Sequence, residues 1–412
     1  MAGRADPIPM QRLQAADRWL GRVLLTLLQP WRWLRKIRRR ASARREVERV
    51  LLIKFWGIGS LQLLTPAVRA LREAHPGARL ELLTLSENGE FCNRLGVFDE
   101  VLLLDVRCPS WHQVFLRIGL LLLGLRDRRY DAVYDFEFFT RFSAFVSFVA
   151  RAPVTTGFSS PSAWRGRMHT AEVPFNRYWH VARNFRVLAG GEDGSEVGPE
   201  DLAPLQVRGE DRASLRAKLG EGRAYVVLNA NAGQLSLERR WPRENYVELG
   251  KRLLEETALA LVWIGGRGER DHVGSIVTRL PDDAGRVHDL CGELDMGELA
   301  ACLEGAALVV SNDSGPMHLA AALGAPTLGL FGPETPQMYA PLGQRAEALY
   351  RPTVCSPCIN VHQNKVATCI HGRPECLENL SVDYVTARAL AELDHGTGVL
   401  SFRARSARVT DA

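Results

Sequence analysis

The sequence predicts an α/β protein: two doubly wound parallel-sheet halves that face each other across a cleft. Three observations carry this. From Val50 onward, short apolar strands alternate with segments of helical period. The rhythm pauses over a Gly-, acid- and Pro-rich stretch at 190–204 and restarts at Tyr225. The length of 412 residues accommodates two domains of ordinary size plus extensions.

Each element has its own signal. In the first half, strands are read at Val50–Phe55, Leu80–Leu85, Val101–Leu104 and Ala132–Asp135, each a short apolar run. Leu61–Glu73 has helical spacing, and Pro76-Gly77 ends it. In the second half, Asp211–Leu219, Tyr246–Glu256 and Gly297–Leu303 read as helices. Tyr225–Asn229, Leu259–Ile264 and Leu308–Ser311 read as strands, and Val382–Leu393 as a closing helix. The expected domains are 47–205 and 206–385, preceded by a basic amphipathic segment at 1–46 and followed by a helix end and polar tail at 386–412.

The net charge of +5 is unevenly distributed. Arg32, Arg35, Lys36, Arg38, Arg39, Arg40, Arg44 and Arg45 form one run without an acid, and the rest of the chain is near neutral or slightly acidic. Before that run, Leu13, Ala16, Trp19, Leu20, Val23, Leu24, Leu27 and Leu28 make an apolar helical stripe, ended by Pro30 and followed by Trp31 and Trp33. An amphipathic helix with indoles and a basic run reads as an interfacial anchor for an anionic membrane surface. Its apolar runs are far short of a span. Ala41-Ser42-Ala43 resembles a secretory cleavage site, but the basic cluster lies on the wrong side of the apolar region. The plainer alternative is a helix packed on the protein's own body. A second apolar stretch, Phe115–Leu125, is bracketed by arginines; a buried domain helix is its default reading and a lipid-docking patch the sharper one. Nucleic acid is not an expected partner, because the aromatics beside the arginines alternate with a lipid-like face rather than forming a stacking platform.

The most informative segment is Val309–Pro336, VVSNDSGPMHLAAALGAPTLGLFGPETP. It reads as strand, polar turn, short helix, strand and Gly-Pro turn. Pro316 suits the first helical position, so the turn Asn312-Asp313-Ser314-Gly315 aims a positive helix end at one point, a site for an anionic group. Asp313 is read as an acceptor for hydroxyls and His318 as a donor to the anion. A capped strand–helix crossover is the bland alternative. Lys54-Phe55-Trp56-Gly57-Ile58-Gly59-Ser60 is a second strand-to-helix turn, without the third glycine of a dinucleotide fingerprint. Asn229-Ala230-Asn231-Ala232-Gly233 leaves room for a ligand, and Arg239 or Arg240 before Trp241-Pro242 would neutralise a diphosphate. Glu269, after Gly265-Gly266-Arg267-Gly268, would hold ribose hydroxyls.

Gly57–Ala67, Arg239–Pro242 and Asn312–Pro336 together resemble the glycosyltransferase family 9 enzymes, whose best-known members are the lipopolysaccharide heptosyltransferases. The similarity runs from about Val50 to Val385. It implies the GT-B fold of two Rossmann-like domains, with acceptor in the first domain and nucleotide sugar in the second. It implies inverting transfer that needs no metal: a carboxylate base deprotonates an acceptor hydroxyl while positive groups stabilise the leaving diphosphate. Heptose from ADP-heptose is the default donor and a lipid-linked saccharide the acceptor. Gly57, Gly59, Asn231, Arg239, Arg240, Glu269, Asp313, Ser314, Gly315, Pro316 and His318 are the expected substrate-binding residues. Arg239 takes the place of a phosphate-contacting lysine.

One position departs from the family. The usual Ile-Gly-Asp, whose Asp is the presumed base, reads Ile58-Gly59-Ser60, and a serine hydroxyl has no useful basicity without a partner. Glu137, with Asp135 as second choice, is the expected replacement, desolvated by flanking phenylalanines. A structural pairing of Glu137 with Arg141 is the alternative. A protein that binds donor but has lost its base is the rival to an active enzyme.

Cys92, Cys108, Cys291 and Cys302 are scattered, as buried thiols are. Cys355, Cys358, Cys369 and Cys376 are spaced C-x2-C-x10-C-x6-C, which suits a structural zinc site or an iron–sulfur cluster, with His362 and His371 as alternative ligands. The overall expectation is a peripheral enzyme on the inner face of the cytoplasmic membrane.

Overall fold

The two halves are two six-stranded sheets in this computed structural model, which describes residues 8–31, 46–159, 164–191, 196–220, 222–233, 236–281, 285–359 and 368–397. The first contains β1 (Arg49–Ile53), β2 (Arg79–Leu85), β3 (Glu100–Leu104), β4 (Ala132–Asp135), β5 (Val154–Ser159) and β6 (Ala171–Pro174). The second contains β7 (Tyr225–Asn229), β8 (Ala260–Trp263), β9 (Val287–Asp289), β10 (Leu308–Asn312), β11 (Thr327–Phe331) and β12 (Ala346–Tyr350). Their orders are β3-β2-β1-β4-β5-β6 and β12-β11-β10-β7-β8-β9, and every neighbouring pair is parallel. Counted within its own half, the second order repeats the first. Each sheet reverses its winding at one place, between β1 and β4 and between β7 and β10. In open parallel sheets that switch point is where the carboxyl ends open a crevice for ligand.

The helices that position the site and its surroundings are α1 (Met10–Leu27), α2 (Ile58–Gln62), α3 (Thr65–Ala74), α4 (Trp111–Asp127), α5 (Arg141–Val149), α6 (Arg243–Glu256), α7 (Met296–Glu304), α8 (Gly315–Ala322) and α9 (Val382–Thr397). The central strands are continuous apolar runs because helices cover both sheet faces; β10 and β11 are buried throughout. β5, β6, β9 and β12 escaped the sequence reading. They are short or partly exposed, β9 being only Val-His-Asp, so they lack an unbroken apolar run.

The helix expected over Leu61–Glu73 is two helices, broken at Leu63-Leu64, with Pro66 in the first turn of α3. The closing helix runs past the expected boundary at 385. Val385, Ala389 and Leu393 are buried in the core of the second half beside α6.

The default reading of Phe115–Leu125 as a buried helix is overturned. These residues lie on α4, where only Val114 and Leu125 are buried. Phe115, Leu116, Leu120 and Leu123 are 55–63% exposed. The N-terminal helix is packed on the protein's own body, the plainer of its two readings. It is anchored to the body through a line of residues four apart. Asp17 accepts hydrogen bonds from the backbone N–H of Arg141 and Phe142, the latter at 2.7 Å, and so caps α5 from outside. Gly21 lies against the Arg141 side chain, where a Cβ would come within 2.7 Å. Leu25 is fully buried with Ala144 and Met168. Trp19, Leu20, Val23 and Leu27 of α1 are more than half exposed. No helix among the described residues is long and apolar enough to cross a membrane. The basic run at 32–45, the Ala41-Ser42-Ala43 tripeptide and His362 lie outside the described residues.

Asp17→Ala leaves two helix-end N–H groups unpaired, which costs about 1–2 kcal/mol. The expected outcome is a lowered urea midpoint and early protease cleavage within α1, while the body stays resistant. Unchanged cleavage would show that Leu25 alone holds the helix.

Candidate functional site

Four strand ends converge on a cleft of about 460 Å³ between the halves. After β1 the chain passes Lys54 and Trp56 and turns at Gly57, whose φ of +80° suits glycine. It enters α2 at Ile58. After β10 it passes Asp313 and Ser314 and enters α8 at Gly315, with Pro316 at the helix start. These two helix entries touch. A Cβ on Gly59 would lie 2.7 Å from the His318 ring and 3.2 Å from the Gly315 Cα. A Cβ on Gly315 would lie 2.5 Å from Ile58. Glycine is therefore required on both sides of the contact, and the positive end of α8 opens into the cleft.

Of the expected substrate-binding residues, Gly57, Gly59, Asn231, Arg239, Glu269, Asp313, Ser314, Gly315, Pro316 and His318 line this one cleft, as does Ser60. Arg240 stands behind Glu269, paired with it at 3.6 Å. Glu269 also accepts the N–H of Gly266 at 2.8 Å, which closes the turn. Arg239 donates from Nη1 to the Asp313 backbone oxygen and carboxylate at 3.0 and 3.1 Å. That bond aims the guanidinium across the turn, and its buried Nε has no hydrogen-bond partner among the described residues. Asn231 donates to the Ile264 carbonyl at 3.0 Å, and its Oδ1 is likewise buried and unpartnered. Both residues line the same cleft, whose floor is the α8 entry. A polar ligand would satisfy both. Asn229 fixes the floor by donating to Ser311 and Ser314 at 2.9 and 2.8 Å.

Sequence reasoning missed several lining residues: Lys54, Trp56, Phe139, Asn229, Asp295 and Tyr339. Lys54 carried a usable signal, a lysine directly after a fully apolar strand. Tyr339 carried none, because it reaches the cleft from a four-residue helix far along the chain. Burial pushes its hydroxyl pKa well above the ordinary value, so it remains a neutral donor.

The two carboxylates weighed as a base lie behind the first-half wall, and each is fully buried. Glu137 does not pair with Arg141. Its Oε1 accepts from Lys54 Nζ at 2.9 Å and from the N–H of Phe55 and Trp56 at 2.7 and 3.2 Å. Its Oε2 is buried without a hydrogen-bond partner among the described residues. Asp135 is bound to Arg165, to His169 at 3.1 Å and to the N–H of Glu137. Burial alone would raise its pKa; Arg165 and His169 outweigh burial and hold it below its ordinary value of 3.8. A carboxylate so held is a weak base.

Cys355, Cys358, Cys369 and Cys376, with His371, line one small pocket of about 50 Å³. All four thiols are free, and among the described residues no three such side chains are arranged as a metal cage. Burial, followed by the neighbouring thiols, pushes Cys376 up to about 11. Cys92, Cys108, Cys291 and Cys302 are buried, as expected.

Residues 120–369 match the family described as Glycosyltransferase family 9 (heptosyltransferase). The chain is 25% identical over 318 residues to lipopolysaccharide heptosyltransferase 2 of Escherichia coli K12, covering 73% of this chain and 87% of that protein. It is 26% identical over 336 residues to lipopolysaccharide heptosyltransferase 1 of Pseudomonas aeruginosa, covering 76% and 86%. In structure it resembles the E. coli ADP-heptose heptosyltransferase II, with a TM-score of 0.66 and 21% identity over 84% of this chain and 99% of that one. A family 9 glycosyltransferase from Veillonella parvula gives a TM-score of 0.68 at 21% identity, over 85% and 99%. These neighbours share the GT-B arrangement of two parallel-sheet domains seen here.

Asp135→Asn would leave buried Arg165 without its counter-charge, a loss of about 3–5 kcal/mol in urea unfolding at pH 7. The wild-type pairing acts above the ordinary carboxylate pKa and is lost as pH falls below 3.8. The variant should therefore lose less of its stability on acidification, and equal acid sensitivity would sink this account.

Proposed function

The chain belongs to glycosyltransferase family 9, and from that premise we propose that it transfers a heptose from ADP-heptose to a lipid-linked saccharide in lipopolysaccharide biosynthesis. The observation that carries the reading is the single cleft at two facing switch points, with Arg239, Asn231, His318 and the α8 entry directed into it. The diphosphate would lie on the α8 entry, with charge-assisted bonds from Arg239 and donation from His318. Glu269 would hold the ribose and Asp313 sugar hydroxyls. The acceptor would enter from the Ser60 side.

In the transfer, the acceptor hydroxyl loses its proton as its oxygen bonds to the anomeric carbon. The bond from that carbon to the diphosphate breaks, and ADP leaves with the electron pair. Ser60 cannot take the proton. We assign it to Glu137, which lies behind the first-half wall of the cleft in contact with Lys54. Its Oε1 is saturated by Lys54 and the 55–56 turn, while its buried Oε2 has a free lone pair. Lys54, which lines the cleft, stands between Glu137 and the acceptor, so a small rotation of its side chain would open the path.

The membrane contact is part of the same proposal. α1 and α4 present outward Trp19, Leu20, Leu27, Phe115, Leu120 and Leu123, and Arg18, Arg22 and Arg126 are exposed beside them. Apolar side chains ringed by cations suit the inner face of the cytoplasmic membrane.

Purified full-length protein with ADP-heptose and envelope lipid extract should yield a heptose-extended lipid by mass spectrometry. Glu137→Gln should lower kcat by about a hundredfold or more with donor affinity retained, and near-normal turnover would remove Glu137 from the mechanism. Arg239→Ala should weaken ADP binding by about tenfold to a hundredfold in calorimetry. Donor binding without turnover on any extract would favour the rival, a donor-binding protein that has lost its base.

The four cysteines line one pocket without forming a cage among the described residues, but they make the donor set of a structural zinc or iron site, and we propose that Cys355, Cys358, Cys369 and Cys376 close on such an ion as its ligands. A cation there would tie 355–358 to 369–376 and stabilise that corner of the second domain, beside Glu238 and the turn that carries Arg239. Anaerobically purified protein should carry close to one zinc, or iron in a fixed ratio, and lose it in Cys358→Ser. Four titratable thiols and no metal would overturn the assignment.

A further inference from the structure

Beside the transfer cleft lies a second cavity of about 300 Å³ that the proposed chemistry does not use. It runs between α1 and α4, closed at its inner end by the Phe139–Phe142 turn. Its walls are almost wholly apolar, formed by Leu20 and Leu24 from α1, Phe115 and Ile118 from α4, and Phe55 and Phe145 from the body. Its floor is shared with the core of Leu51, Ile53, Leu83 and Val133, to which Phe55, Leu85 and Leu104 also belong, so the groove is a built part of the domain that is left open to solvent. Apolar grooves of this size take apolar ligands.

Three observations identify the occupant. First, the groove abuts the cleft: Trp56 and Phe139 form the wall between them and line both. A molecule could lie in both at once, its polar end beside Ser60 and its apolar end between the helices. Secondly, three polar donors at the groove are buried without a hydrogen-bond partner among the described residues: Gln14 Nε2, Trp56 Nε1 and Arg141 Nε. Buried donors are normally satisfied, so these await oxygen atoms of a ligand. A pure hydrocarbon would leave them orphaned, whereas a lipid with oxygen-rich linkages would satisfy them. Thirdly, the groove rim continues into the outward apolar ridges of α1 and α4, with Leu27 and Leu120 more than half exposed and the cationic Arg18, Arg22 and Arg126 beside them. A chain could pass from a membrane into the groove without crossing water.

We propose that this groove holds the hydrocarbon chain of the lipid-linked acceptor, with Gln14, Trp56 and Arg141 contacting the oxygens where the chain joins the polar head. The proposal rests on the transfer reading above and gives it an acceptor subsite. The N-terminal helix then becomes one wall of the acceptor site, clamped to the body by Asp17, and the membrane is where the substrate is collected. Each CH₂ group that enters the groove leaves water, so even a partly inserted acyl chain adds affinity.

The test uses full-length protein and two variants. Leu20→Glu puts a charge in the groove, and Ala16→Trp fills it. The probe is cis-parinaric acid, whose fluorescence rises in an apolar site. Wild type should bind it saturably, and both variants should weaken binding by about tenfold or more. ADP binding by calorimetry should be unchanged in both, which shows that the fold and the donor site survive. In the second arm, wild type receives ADP-heptose with envelope lipid acceptor, either intact or deacylated by mild alkali. The KM for the deacylated acceptor should be about tenfold higher, and Leu20→Glu should raise KM only for the intact form. Equal KM for the two forms, or probe binding indifferent to both variants, overturns the groove and leaves the transfer reading standing. Probe binding as expected, with ADP bound and no transfer to either form, overturns the transfer reading and the identification of the occupant as its acceptor.

Discussion

The contact between the Gly57–Gly59 turn and the start of α8 sets the geometry of everything else in the cleft. Two glycines meet there because a methyl group on either would strike the other side, at His318 or at Ile58. The approach brings the first sheet's switch point to the second's, so a ligand at one is within reach of the other. It is supported from both sides. One apolar core runs without a break from Leu61 and Leu64 in the first half to Met317 and Leu319 in the second. A bidentate pair between Arg94 and Asp211, at 2.7 and 3.0 Å, ties the halves at the flank. The cleft is thus shaped by packed surfaces, and its polar groups can be held aimed while unsatisfied. Arg239 Nε and Asn231 Oδ1 are the result. Leaving such groups unpaired costs stability, which suits a site preorganised for a polar ligand.

The first-half wall is organised around charge. Lys54 follows β1 and Glu137 follows β4, and β1 and β4 are neighbours, with Ile53 beside Asp135. The sheet therefore sets the lysine against the glutamate, and two backbone N–H groups join on the same oxygen. One element farther in, Asp135 is neutralised by Arg165 and His169. Of two acids two residues apart, one is spent on buried arginine and histidine and the other keeps an oxygen free. Where the family pattern has an acid on the first turn, this chain has Ser60, while Glu137 lies behind Lys54, screened by its cation.

The periphery of the first domain follows a different logic. α4 is apolar around most of its circumference, and a helix of that composition would ordinarily be buried. Here it lies on an edge of the domain and is joined by α1, which is held by a capping carboxylate, a close-packed glycine and one buried leucine. The pair encloses a groove instead of closing a core. That arrangement is costly in water, and contact with hydrocarbon would offset the cost. The same helices pack on the body from one side and leave apolar side chains exposed on the other.

The sequence by itself determined the repeated strand–helix rhythm, the central strands, the α8 entry and the resemblance that groups the cleft residues. Each is local: an unbroken apolar run, a Pro at a helix start, a Gly-containing turn. It did not determine the edge strands β9 and β12, whose pairing comes from neighbours rather than from their own pattern. It also could not say which partner Glu137 takes. Helical spacing suggested Arg141, yet Arg141 begins α5 beyond the turn, its N–H capped by Asp17, and strand adjacency brings Lys54 to the glutamate instead. Nor could it say which apolar helix is buried, because burial depends on what covers a face, and α4 is covered on only one side. Local chemistry fixed the elements. The meeting of two glycine turns, the Lys54–Glu137 pair and the open groove exist only once distant segments pack, because each depends on contacts between residues far apart in the chain.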